Sequence, residues 1–233
     1  MSENKSADDI VDELFKDSDI KSLQEVIIPS GRTVHIRPIT WEIEKELVSE
    51  NVDTNAITKF MIDRCTTGVD YEDLLSADAT YILFKIRELS YGSIFKFVLG
   101  CPSCKAEQEY SVDISDLPVE HMDEISEVEV ELPVSKKTVK VRRATMEDVG
   151  MTDTAAKAMD NIWRFVKSFE GIDRKDVISK VMKRLSAGDI ETIMQAVNGA
   201  GYGIQTKIRT VCNQCGYDGA IELPLSQSFF SVS

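Results

Sequence analysis

Two Cys-x-x-Cys pairs constrain the fold of this chain more than any other feature of its sequence. They are Cys101-Pro-Ser-Cys104 and Cys212-Asn-Gln-Cys215, and they contain four of the five cysteines among 233 residues. Each pair lies between two strand-like segments, and a Cys-x-x-Cys turn presents both of its sulfurs on one side of a tight bend. Two such turns form a closed tetrahedral site for one structural zinc ion, so Cys101, Cys104, Cys212 and Cys215 are the predicted metal ligands.

The distance between the two pairs is unusual for a zinc ribbon. Ribbons commonly separate their pairs by about 15–20 residues, whereas more than a hundred residues intervene here. We therefore predict a split zinc ribbon with a folded segment between its halves. Three other uses of the pairs remain open, namely a local disulfide in each pair, a thioredoxin-like redox motif, and a metal shared across a dimer; iron could also replace zinc. The strand-like run after each pair favours metal binding, because a redox motif normally opens a helix.

The two halves of the chain share short segments in the same order. The matches are Thr33–Arg37 with Thr138–Arg142, Leu75–Ala77 with Leu185–Ala187, Tyr91-Gly92 with Tyr202-Gly203, and the two cysteine pairs. This order predicts an internally duplicated α+β unit that consists of a β-hairpin, helices and a Cys-x-x-Cys knuckle. The predicted divisions are an acidic tail with a short helix (1–21), the first unit (22–118), an acidic linker (119–126), and the second unit with an apolar C-terminal tail (127–233).

Hydrophobic periodicity and capping signals predict the elements of each unit. Alternation predicts the hairpins, and Thr or Ser followed by an acid three residues later marks the helix starts at Thr145 and Ser186. The predicted hairpin strands are Leu23–Ile28 with Arg32–Arg37, and Val128–Leu132 with Lys137–Val141. The predicted helices include Ala79–Leu89, one with Ile162, Phe165, Val166 and Phe169 on its inner face, and Asp173–Leu185. Cys65 follows a helical run and is predicted to lie in the core.

The charge of the chain limits its partners. Its formal net charge is −13, which argues against nucleic acid as a general partner because affinity for phosphates comes from basic residues. The segment Asp113–Glu131 holds eight acids and no Lys or Arg, which is typical of a solvated linker or of a docking face for a basic partner. No apolar run is long enough to span a membrane, and we expect no signal peptide and a cytoplasmic origin.

The sequence contains no recognisable active site, so we expect a protein that is not an enzyme. The two histidines, His35 and His121, belong to no nucleophile motif and to no metal-ligand spacing. The glycines of Gly199–Gly203 follow a helix and precede a strand, which is the reverse of a dinucleotide-binding turn.

Both chain ends carry apolar residues outside the repeated segments. An amphipathic helix is predicted over Ser6–Phe15, and Leu225, Phe229, Phe230 and Val232 lie near the C-terminus. Such residues either pack on the chain's own core or bind a partner. Their position outside the repeats favours a partner.

This combination resembles a known family. An acidic chain with a Pro29-Ser30-Gly31-Arg32-Thr33-Val34 hairpin, then Arg37-Pro38-Ile39-Thr40 and late Cys-x-x-Cys pairs, resembles the baseplate hub subunits of T-even-type contractile-tailed bacteriophages. The resemblance covers most of the chain beyond Ser22. It implies a non-enzymatic hub component or assembly factor that is made in the host cytoplasm and binds other tail proteins, with a homo-oligomer also open. The alternatives are a zinc-ribbon adaptor in transcription or translation, and a Cys-x-x-Cys redox protein.

Overall fold

The structure is a computed structural model that describes residues 23–49, 54–122, 127–152, 154–199 and 201–230, together with Ser6, Ile10, Glu13 and Leu14. Helices and several small antiparallel sheets alternate along the chain, so the fold is of the predicted α+β class. None of the described helices combines the length and apolar character that a transmembrane helix needs.

The first half of the chain begins with a hairpin and ends with a longer one. Its strands and helices, in order, are β1 (Gln24–Ile27), β2 (Thr33–Ile36), α1 (Trp41–Ser49), α2 (Thr54–Cys65), β3 (Thr66–Thr67), α3 (Ser76–Tyr91), β4 (Ile94–Gly100), β5 (Glu107–Asp113) and β6 (Val119–Glu120). Cys65 ends α2 and is fully buried, as predicted. Its burial raises the pKa of this thiol to about 11.

The second half has a closely similar order of elements. These are β7 (Glu127–Glu131), β8 (Thr138–Arg142), α4 (Val149–Thr152), α5 (Ala155–Asn161), β9 (Val166–Phe169), α6 (Lys175–Met182), α7 (Ala187–Asn198), β10 (Gly203–Ile204), β11 (Lys207–Val211) and β12 (Asp218–Glu222). The predicted capping box is present at Thr145, where Asp148 supplies the reciprocal carboxylate, although the turn that it opens is a 3-10 helix.

The sheets of the two halves have the same strand order. The first sheet is β1-β2-β3 and the second is β7-β8-β9, and every neighbouring pair is antiparallel. Beyond them, β4 pairs only with β5, and β11 pairs only with β12, among the described strands. A short pairing of β6 with β10 joins the two halves.

A buried aspartate at the start of a helix holds the hairpin turn in each half. Asp78 of α3 accepts a hydrogen bond from the Ser30 amide at 3.0 Å, and Asp189 of α7 accepts one from the Val134 amide at 2.8 Å. Burial raises the pKa of Asp78. The backbone amides of Val134 and Ser135 overcome the opposing effect of burial and lower the pKa of Asp189. The predicted helix start at Ser186 is confirmed, because the Ser186 hydroxyl accepts a hydrogen bond from the Asp189 amide at 3.1 Å. The Asp189 carboxylate, predicted as the acid of a capping box, binds the hairpin turn.

The halves touch where α3 meets β10. Gly203 has a φ of +92°, and a Cβ built there would lie 2.7 Å from the Cβ of Ala77. This close approach therefore requires glycine, both for the backbone conformation and for the space. The Met146 amide also donates to the Leu74 carbonyl at 2.7 Å across the same boundary.

The described residues form two hydrophobic cores. The first core contains residues from both halves of the chain, whereas the second contains residues of the second half alone. The members of the first core from the second half include Met146, Ile221, Leu223, Phe229 and Phe230. The expectation that the C-terminal aromatic residues bind a partner is wrong for Phe229 and Phe230, because they are 0 % and 1 % exposed. Val232 and most of Ser6–Phe15 lie outside the described residues, and within that predicted helix Ile10 and Leu14 are exposed.

The second core corrects one predicted helix. Ile162 lies in a 3-10 turn, and Val166–Phe169 forms strand β9 rather than a helical stripe. Their side chains are buried as expected, but Val166 and Phe169 pair with β8. Glu170 and Gly171, with φ of 50° and 77°, then reverse the chain after the strand.

Candidate metal centre

The four cysteines that the sequence singled out meet at one end of the two hairpins β4–β5 and β11–β12. Each Cys-x-x-Cys pair forms the turn of one hairpin, and the four sulfurs lie within 4.8 Å of one another. The residues Cys101 and Cys212 are buried, whereas Cys104 and Cys215 are exposed. None of the five cysteines is in a disulfide bond in the structure.

The two knuckles have the same backbone geometry. The Lys105 amide donates to the Cys101 carbonyl at 2.9 Å, and the Gly216 amide donates to the Cys212 carbonyl at the same distance. Both following residues have positive φ, 64° for Lys105 and 69° for Gly216. Glycine accepts this conformation readily, whereas lysine adopts it at some cost in strain. The sequence difference between the knuckles therefore does not change their shape.

The sulfur–sulfur distances fit a tetrahedral metal site. Cys101 Sγ lies 3.7 Å from Cys215 Sγ, and Cys104 Sγ lies 3.8 Å from Cys212 Sγ. A tetrahedron with Zn–S bonds of about 2.3 Å has edges of about 3.8 Å. Since a disulfide needs sulfurs about 2.05 Å apart, the contacts between the two pairs suit a shared ion rather than a bond.

Backbone amides inside the knuckles favour ionised sulfur at Cys101 and Cys212. At Cys104 the Ala106 amide favours the thiolate, but hydrogen bonding with Cys215 and the other sulfurs outweighs it and raises the pKa to about 11. The amides of Cys104 and Ser103 point at the Cys101 sulfur and lower the pKa of that thiol to about 6. Those of Cys215 and Gln214 likewise lower the pKa of Cys212. Thiolates are the form in which cysteine binds metal, and four thiolates in contact repel one another unless a cation lies between them.

One contact between the knuckles was not predicted from the sequence. The Gln108 side chain accepts a hydrogen bond from the Asn213 amide at 3.0 Å and donates one to the Val211 carbonyl at 3.3 Å. The side chain thus links β5 to the backbone of the second hairpin beside the cysteine cluster. A single glutamine in a polar strand carries no sequence signal for such a role.

A comparison with protein families shows the family of the chain. The family model described as "T4 bacteriophage base plate protein" matches residues 21–231. The chain belongs to this family. Comparisons with curated proteins and with solved structures give no match.

The match to the base plate family extends over both halves of the fold. It spans the first hairpin, both hydrophobic cores and all four clustered cysteines. The resemblance that the sequence suggested is therefore confirmed at the level of a T4-type base plate protein.

Proposed function

We propose that this protein is a non-enzymatic structural or assembly component of the baseplate hub in a contractile phage tail. The observation that carries the proposal is the base plate family match over residues 21–231. A protein of this family works among other tail proteins, so other proteins of the tail or hub are its expected partners. It would be made in the host cytoplasm and act there during assembly or remain in the tail of the virion.

We further propose that Cys101, Cys104, Cys212 and Cys215 hold one structural zinc ion. The support is the set of sulfur–sulfur distances of 3.7 and 3.8 Å and the soft thiolate donors. A four-thiolate site has no open position for a substrate, which agrees with a role in stability rather than catalysis. Such an ion contributes about 10 kcal/mol or more to folding.

We also infer that the chain arose by internal duplication, with repeat units at 22–118 and 127–233 that flank an acidic linker at 119–126. The shared strand order of the two sheets, the equivalent positions of Asp78 and Asp189, and the matching knuckles support this inference. The units do not pack as separate bodies, because Ile221 and Phe229 of the second unit lie in the first core. Zinc would then connect two units that already share a core.

The proposed function is tested by co-expressing the chain with the hub proteins of the same phage and measuring complex formation and bound metal. We expect a stable complex on gel filtration and one zinc per chain by elemental analysis. Ser103→Ala, which alters the first knuckle without removing a ligand, serves as the control and should keep both. A chain that carries zinc but joins none of the hub proteins would refute the hub assignment.

A further inference from the structure

The two knuckle hairpins are joined at one end and separate at the other. Gln108 bridges them next to the cysteine cluster. Further from the cluster a cleft of about 450 Å³ lies between β5 and β11. Its lining residues from these two strands are Tyr110, Ser111, Val112, Asp113, Ile208, Arg209 and Thr210.

The cleft is bordered by the edges of the two strands rather than by their faces. Four consecutive residues of β5 and three consecutive residues of β11 line it. Alternate side chains of a strand point to opposite faces of its sheet, so consecutive residues share a border only along an edge. Each hairpin is a two-stranded sheet, and within the described part of the chain no third strand pairs with either edge.

The hydrogen-bond pattern of β5 shows which backbone groups face the cleft. The backbones of Ala106 and Ile114 bond across to the β4 side of the hairpin, at 2.9 Å in each case. Because the N–H and C=O groups of alternate residues point to the same edge, the groups of Ser111 and Asp113 point to the opposite one. Ser111 therefore presents an open donor and an open acceptor to the cleft, and Asp113 presents its amide, because the Asp113 carbonyl caps the 3-10 turn Ile114–Asp116.

The same reasoning applies to β11. The Cys212 amide and the Thr206 carbonyl bond across to the β12 side, at 2.8 and 2.9 Å, whereas the Val211 carbonyl accepts from Gln108 on the other side. The backbone groups of Arg209 share the direction of Val211 and face the cleft. Open strand edges thus border the cleft from both sides.

The charged and apolar side chains around the cleft indicate which kind of peptide segment could bind there. Asp113 and Asp116 line it. The Asp113 carboxylate accepts hydrogen bonds from the Ser115 amide and hydroxyl at 3.1 and 2.6 Å, and among the described residues neither acid forms a salt bridge. The one lining arginine, Arg209, is engaged by Asp218 through contacts of 2.9 and 2.7 Å. The half-buried side chains of Tyr110, Val112, Leu117 and Ile208 supply apolar surface. The cleft therefore suits an extended segment in which basic and apolar residues alternate.

We propose that this cleft binds an extended basic strand of another tail protein, which enters between β5 and β11 and hydrogen-bonds to both. The proposal rests on the proposed function and names the chemistry of the partner. Since β5 runs away from its knuckle and β11 runs towards its own, these two strands run in opposite directions. A strand inserted between them is therefore parallel to one and antiparallel to the other. Strand addition supplies affinity through the main chain, and the side-chain sites supply specificity.

The test uses a fluorescein-labelled peptide of alternating lysine and valine, with the full-length, zinc-loaded protein. We expect saturable binding by fluorescence anisotropy and slower amide hydrogen exchange at Ser111, Asp113 and Arg209. The same peptide with glutamate in place of lysine should bind at least about tenfold more weakly. Absence of saturable binding up to millimolar peptide, or binding without protection of these amides, would overturn the proposal.

Two proline variants make the test specific. Ser111→Pro removes an amide that faces the cleft without removing a bond to β4, and should weaken peptide binding at least about tenfold. Lys96 lies opposite Ser111 in the hairpin, and its amide faces the outer edge of β4, so Lys96→Pro is the matched control and should bind normally. Should Ser111→Pro fail to fold, Asp116→Asn replaces it and should weaken binding only at low salt.

The outcomes separate this proposal from the function on which it rests. If the wild-type chain and Ser111→Pro join the co-expressed hub proteins equally well, the cleft proposal fails and the proposed function stands. If the wild-type chain joins none of them, the proposed function fails whatever the peptide does. A dimer in sedimentation that Ser111→Pro dissolves would show that a second copy occupies the cleft, and would overturn the assignment to another tail protein.

Discussion

Replacing Phe229 with alanine tests the conclusion that the C-terminal tail belongs to the core. The Phe229 side chain is fully buried, and its ring centroid lies 4.9 Å from those of Phe84 and Phe95 and 5.1 Å from that of Phe230. The Arg87 guanidinium lies 5.5 Å from the same ring. The residue therefore connects α3, β4 and the C-terminal 3-10 turn in one aromatic cluster.

The expected cost follows from this burial. Truncating a buried phenylalanine to alanine lowers the free energy of unfolding by about 3–5 kcal/mol, and the three ring contacts favour the upper part of that range. For a chain of this size each kcal/mol lowers Tm by about 2–4 °C, so we expect a decrease of roughly 6–20 °C. A loss of this size is a large share of the about 5–15 kcal/mol typical of a folded domain.

Urea and thermal unfolding followed by circular dichroism would measure the change. Trp41→Ala is the matched control, because Trp41 is 72 % exposed and its removal should change the free energy of unfolding by less than about 0.5 kcal/mol. If Phe229→Ala keeps the wild-type Tm but loses association with tail proteins, the side chain contacts a partner and the reasoning from burial is wrong.

Four further results are expected. Cys104→Ser and Cys215→Ser should each lose zinc and lower Tm to a similar extent, because they remove ligands from one ion; elemental analysis that finds full zinc in one of them would indicate separate sites. Asp189→Asn should destabilise the protein above about pH 4 and lose this effect in acid, because a lowered pKa contributes stability that disappears as the pH falls through it. Asp78→Asn should show the opposite pH dependence in urea unfolding, with its stability relative to wild type improving as the pH rises, since the raised pKa of Asp78 makes its ionisation unfavourable to the folded state; equal pH profiles for the two variants would refute the assignment. Deleting Met1–Phe15 should leave Tm unchanged and weaken association with tail proteins, and a large decrease in Tm would place this segment in the core.

Local patterns were sufficient to predict the hairpins and the cysteine cluster. Alternation between Glu127 and Leu132 predicts β7, which covers Glu127–Glu131. The cysteine pairs predict that residues more than a hundred positions apart meet, and their sulfurs do. These predictions succeed because strand pairing across a turn and the geometry of a Cys-x-x-Cys knuckle are decided by residues that are close in sequence.

Elements that depend on distant partners could not be predicted in this way. The segment from Ile162 to Phe169 has apolar residues at helical spacing. However, β8 has a free edge, and Val166–Phe169 pairs with it as a third strand of the sheet. A short apolar run does not distinguish strand from helix, and the available partner decides. The burial of Phe229 likewise depends on Phe84 and Phe95, which lie more than a hundred residues earlier in the chain.

The cysteine cluster and the cleft both follow from the way in which the two knuckle hairpins are arranged. The hairpins β4–β5 and β11–β12 form no backbone ladder with each other, and the described contacts between them near the knuckles are the cysteine cluster and the Gln108 bridge. A metal ion at that end, as proposed, would fix the hairpins relative to each other while leaving their facing edges unpaired. Exposed strand edges are normally covered or blocked because they invite association. A protein that holds two such edges face to face, and belongs to a family of base plate proteins, is suited to receive a strand from a neighbour during assembly.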